Sequence, residues 1–173
     1  MPDKILTAFL LKQLAEGTAL ARASDIVRLQ PEPGPAPQRY LAEFRCKTLT
    51  AGPNGSVVPG NGCGVGIWFQ DDYLRRAEVP EVVTLLGPVN LFHANISFPF
   101  ICVGRLKPGT PLVDLLYQIF EIVTYQKITM NERNALNFAA CQWARAHQSQ
   151  LPLEKRPLKR RAVELEVSAV SAS

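Results

Sequence analysis

The chain of 173 residues is poor in the residues that build metal and redox centres, with four cysteines and two histidines. No two cysteines form a Cys-x-x-Cys, and no spacing of His and Cys matches a zinc site. Long hydrophobic runs are absent: nothing approaches the ~18–20 apolar residues that span a bilayer as a helix. The apolar stretch Ala8-Phe9-Leu10-Leu11 is short and lies between Asp3 and Lys12, so it does not read as an export signal. Charge of one sign is scarce too. The net charge of +4 resides in the segment from Glu154 to Arg161, which holds five bases and one acid. The rest of the chain is neutral, which argues against a dedicated nucleic-acid binder with a broad basic face. What is present is ordinary globular composition, 47% apolar and 20% charged. A chain of this length can bury a core without staples, which excludes a disordered chain and a disulfide miniprotein. The cysteines are therefore expected to be free thiols in a reducing compartment, and the protein cytoplasmic.

Periodicity predicts an α+β domain. Ile5, Leu6, Phe9, Leu10 and Leu14 mark an amphipathic helix over residues 5–21, with Gly17 as an end or a weak point. Ile26 to Leu29 reads as a short strand, and the prolines from Pro31 to Pro37 as a loop. From Tyr40 to Thr48 apolar and polar residues alternate, predicting a strand that places Cys46 on its buried face. Further strands are expected within 57–69 and over 82–86, giving an antiparallel meander. The stretch from His93 to Pro111 loses its period and is the natural place for a structured functional loop. Two helices should follow. The first carries Leu112, Leu115, Leu116, Ile119 and Phe120, capped by Thr110 or its neighbours. The second is opened by the capping box Thr129-x-x-Glu132. The domain is expected to span residues 1–148, with 149–173 as a basic, solvated tail.

Residues His93 to Cys102 read His-Ala-Asn-Ile-Ser-Phe-Pro-Phe-Ile-Cys. Here the chain resembles the ubiquitin-conjugating enzymes, whose His-Pro-Asn tripeptide precedes an active cysteine by a short loop. His93, Asn95, Ile96 and Ile101-Cys102 carry the match. Pro108-Gly109-Thr110-Pro111-Leu112 is similar to the family's lead-in to its crossover helix. The segment 131–148, with Trp143-Ala144-Arg145, is similar to its late helix, so the resemblance covers roughly residues 1–148. Ala94 stands in place of the tripeptide's proline, and the loop to Cys102 is one residue shorter. The tryptophan before Pro108 and the proline-rich turn before the third and fourth strands are missing. These departures resemble the divergent bacterial members that occur with a ubiquitin-like protein or a nucleotide cyclase, often in antiphage defence.

The resemblance implies a ubiquitin-conjugating (UBC-like) fold in which Cys102 accepts an acyl group from an activating enzyme as a thioester and passes it to a target lysine. The donor would be a ubiquitin-like protein or the C-terminus of a nucleotide cyclase, with no cofactor and no metal. A thiolate is the attacking species in such exchange. The Asn95 amide would serve the oxyanion of aminolysis, directly or by shaping the loop. His93 is expected to hold the loop by hydrogen bonds to backbone rather than act as a base. Against these stand plainer readings: Cys102 as an inert core cysteine, and Asn95 as a turn residue. A Cys–His hydrolase built on Cys102 and His93 lacks a third orienting group. A non-catalytic UBC-fold module that only binds partners is the alternative function. Glu132 is accounted for by its capping box, and Cys63, Cys141 and His147 read as structural.

Overall fold

The computed structural model describes residues 3–161. Asp3 caps helix α1 (Lys4–Arg22), accepting hydrogen bonds from the N–H groups of Ile5 and Leu6. Its buried stripe is Leu6, Leu10, Gln13, Gly17 and Leu20. The helix runs straight through Gly17, so that residue is neither an end nor a weak point. A Cβ there would stand 2.7 Å from Leu112 Cδ2 and 2.9 Å from Leu29 Cδ2; glycine is the space the neighbouring elements need.

Strands β1 (Val27–Pro31), β2 (Arg39–Phe44), β3 (Thr48–Ala51), β4 (Val57–Gly60) and β5 (Cys63–Trp68) follow. A single turn of helix, α2 (Val79–Val82), then leads into β6 (Val83–Gly87). The main sheet is an antiparallel meander of order β1-β2-β5-β6. Tyr40, Ala42 and Phe44 alternate inward as the pattern required, opposite Ile67, Val65 and Cys63. The expected strand over 40–48 is, however, two strands. Arg45 N–H still donates to the carbonyl of Ile26, in register with the β1–β2 ladder, so the break falls between Arg45 and Thr48. Gly62 crosses so close to Phe44 that a Cβ would overlap its carbonyl oxygen. The chain bends there, and β3 and β4 form a separate hairpin.

Helix α3 (Leu112–Val123) packs on α1 and buries Leu112, Leu115, Leu116, Ile119, Phe120, Ile122 and Val123 in the core shared with the sheet. Thr110 does not cap it. Its hydroxyl donates to Lys107 O, and Tyr73 OH donates to its carbonyl. The N–H of Leu112 is instead satisfied by the buried Gln13 side chain of α1, at 2.8 Å. The capping box is also displaced. A short 3-10 turn (Glu132–Asn134) stands where a helix was expected, and α4 (Phe138–Ala146) starts only at Asn137, whose side chain accepts from Ala140 N–H. The N–H groups of Leu136 and Asn137 both donate to the carbonyl of Ala94, which keeps residues 135–137 out of the helix.

The expected boundary after residue 148 does not hold, because packing continues to the end of the described residues. Leu153 N–H donates to Thr124 O, and Arg160 N–H to Ala23 O. Leu158 is in the main core at 1% exposure. Glu154 is buried and accepts from the N–H groups of Lys47, Lys155 and Arg156 as well as from the Arg156 guanidinium. Segment 151–161 is a strap across the domain, not a solvated tail; residues 162–173 of the expected tail lie outside the described residues. No described helix is long and apolar enough to cross a membrane.

Candidate active site

The aperiodic stretch after β6 is an ordered loop built around a two-rung hairpin, β7 (Ile96–Ser97) with β8 (Phe100–Ile101). Proline carbonyl 99 accepts from Leu85 N–H and so fastens the hairpin beside β6. Immediately after β8 comes Cys102, half-buried, with Ile101 and Val103 on either side anchored in the core.

The three expected site residues are brought together through the backbone. Cys102 N–H donates to Asn95 O at 2.8 Å, and Asn95 Nδ2 reaches Cys102 O at a long 3.4 Å. Asn95 N–H donates to His93 Nδ1 at 3.0 Å. His93 thus holds the turn that holds Cys102. Because Nδ1 accepts, Nε2 carries the ring proton, so the neutral ring has no lone pair left for base chemistry. Nε2 is buried without a hydrogen-bond partner. Burial pushes the imidazole down to about 3, with the Lys127 backbone opposing only in part. Held this way, His93 serves the backbone of the loop and is not a base for Cys102.

Two residues that periodicity did not single out complete the site. Thr129 grips the Asn95 carboxamide at both ends: Asn95 Nδ2 donates to Thr129 Oγ1 at 2.7 Å, and Thr129 N–H donates to Asn95 Oδ1 at 2.9 Å. That pairing is the reason Thr129 is not free to cap a helix. Its own carbonyl accepts the Cys141 S–H at 3.2 Å. Tyr125, in the left-handed region with φ 61°, sets its ring against His93 and donates its hydroxyl to Phe92 O. Its position just past a helix end carried no sequence signal of this role. Glu132 bridges Arg145 at 2.9 Å, and Trp143 stacks on His147.

The four cysteines are all free, and three are buried. Burial, then the Glu154 carboxylate, pushes Cys46 up to about 12, and burial likewise raises Cys63. Cys141 is fully enclosed and donates its proton to Thr129. Cys102 alone is within reach of solvent. It lines neither the cleft of about 640 Å³ between α1 and α3, at Leu20, Tyr117 and Lys159, nor that of about 450 Å³ at Glu32, Arg39, Trp68 and Asp71. Among the described residues, no group of His, Cys, Asp and Glu could hold a metal ion.

No protein-family model matches the chain, and no curated protein matches it.

Proposed function

We propose that this chain is a ubiquitin-conjugating-type acyltransferase with a UBC-like fold, working in a bacterial ubiquitin-like or cyclase-linked conjugation pathway of the kind found in antiphage defence. One observation carries the reading: the single accessible thiol, Cys102, is clamped through its backbone to the asparagine of the His-x-Asn turn. The α1–meander–loop–α3–α4 order supports it.

In the first step the Cys102 thiolate attacks the thioester carbonyl presented by an activating enzyme. The new C–S bond forms to Cys102, and the enzyme's thiolate leaves. In the second, a target lysine amine attacks the Cys102 thioester. The C–N bond forms, the Cys102 C–S bond breaks, and the amine's proton passes to solvent or base. Asn95 orients the loop in both steps. The non-catalytic alternative leaves a half-buried thiol, held in an ordered loop, without a use.

The test is a charging reaction with a candidate activating enzyme, ATP and donor, resolved on a non-reducing gel. An adduct sensitive to reducing agent, absent in Cys102→Ala, supports the reading. Unimpaired charging of Cys102→Ala would end it.

A further inference from the structure

Charge around Cys102 is one-sided in a chain whose body is otherwise neutral. No acidic residue occurs from Val82 to Val113, while Arg105 and Lys107 follow Cys102 on exposed backbone. Lys127, distant in sequence, joins them: its Nζ lies 3.9 Å from where a Cβ on Gly104 would stand, two residues from the thiol. None of these three bases has an ion-pair partner among the described residues. The nearby acid Glu132 is engaged by Arg145. Beside this basic rim, Met130 and Leu136 stand exposed on the segment fastened to Asn95 and Ala94.

We infer that the rim selects an acyl donor whose C-terminal tail carries acidic side chains interleaved with apolar ones. This inference rests on the conjugating reading and names its substrate class. The tail reaches Cys102 across Lys127, Arg105 and Lys107, which attract its carboxylates, while Met130 and Leu136 receive its apolar side chains. Positive charge lining an approach path accelerates encounter with an anionic partner and does so in a salt-dependent way.

The probes are three peptide benzyl thioesters, acetyl-Leu-X-Leu-X-Gly-Gly, with X as Glu, Gln or Lys. Each can load Cys102 without an activating enzyme. The Cys102 thiolate takes the acyl group, and benzyl mercaptide leaves and picks up the proton that Cys102 gave up. At low ionic strength the Glu peptide should load the full chain on the order of tenfold faster than the Lys peptide, with Gln between them. The order should collapse in ~0.5 M salt, where screening is complete within a few ångströms. Arg105→Glu with Lys127→Glu should reverse the order, and Arg105→Gln with Lys127→Gln should flatten it. Both pairs change exposed side chains.

Equal loading of Cys102 by all three peptides at low salt overturns the charge assignment and leaves the conjugating reading standing. A preference that survives both variant pairs also overturns the charge assignment. If no peptide loads Cys102 while free cysteine reacts with all three, the conjugating reading itself fails, and the inference with it.

Discussion

The Asn95 carboxamide and Thr129 form a reciprocal pair across 34 positions of chain: the amide donates to the Thr129 hydroxyl and accepts the Thr129 N–H. An amide so held has its strongest donor direction occupied, which makes Asn95 a positioning residue for the Cys102 loop. Asn95→Ala should therefore slow loading and lysine discharge together, where a pure oxyanion donor would slow discharge far more than loading. Single-turnover loading and discharge of the purified thioester measure the two steps apart. Thr129→Val, which keeps the N–H to Oδ1 bond and removes Oγ1, should slow both steps in the same proportion. A Thr129→Val protein with faster discharge would show instead that the freed Nδ2 serves the oxyanion.

Thiol reactivity should sort the cysteines by access. Iodoacetamide on the native protein should modify Cys102 first and leave Cys46, Cys63 and Cys141 intact until unfolding. Burial disfavours the thiolates of Cys46 and Cys63, and Cys141 is fully enclosed. Peptide mapping after brief alkylation decides this. Cys102→Ser should trap the acyl group as an oxyester that survives thiol treatment.

The strap should be needed for stability. Leu158→Ala removes a side chain that is 1% exposed and should cost about 2–3 kcal/mol, read from urea unfolding. Truncation after Leu153 should cost more, since it also deletes Arg156 and the Arg160 bonds to Ala23, Arg22 and Asp25.

Two buried groups set the acid side of the stability profile. His93 is neutral when folded, with its ionisation pushed down to about 3, whereas an unfolded chain protonates it below about 6.5. Between those values the unfolded state binds the extra proton, so stability falls as pH falls, by up to ~1.4 kcal/mol per pH unit. His93→Asn retains an acceptor for Asn95 N–H and should flatten the profile between pH 6.5 and 4.5. The Arg156 guanidinium first, then backbone N–H groups, hold Glu154 down at about 2 against the cost of its burial. Its contribution is complete above about pH 4.5 and is lost as pH falls from there through about 2. Glu154→Gln should destabilise the protein by about 2 kcal/mol at pH 7 and approach the parent near pH 2, as followed by thermal melts.

The parts of the fold legible beforehand are those written in period. The stripe of α1, the inward face Tyr40-Ala42-Phe44 and the apolar run of α3 each repeat often enough to declare their element. The aperiodic loop around Cys102 was visible through its very lack of period. What stayed hidden depends on single distant partners. Thr129-x-x-Glu132 is a sound local helix start, yet two hydrogen bonds to Asn95 outcompete it. Leu158 stands alone among bases, and one leucine has no period to reveal that it is core. The break after Phe44 arises from a glycine eighteen residues downstream, which no pattern along the strand contains.

Gln13 gives the chain an order of events. Its carboxamide, inside an otherwise apolar stripe, donates to Phe9 O and accepts the first N–H of α3. The partner, Leu112, lies 99 residues later. During synthesis α1 emerges with the acceptor of this amide unmatched, and it stays so until the whole meander and the Cys102 loop have been made. Capping α3 and docking it on α1 are then a single act, which closes the chain around the loop between them. The stretch that carries Cys102 thus lies, along the chain, between two elements that join only once it has been made.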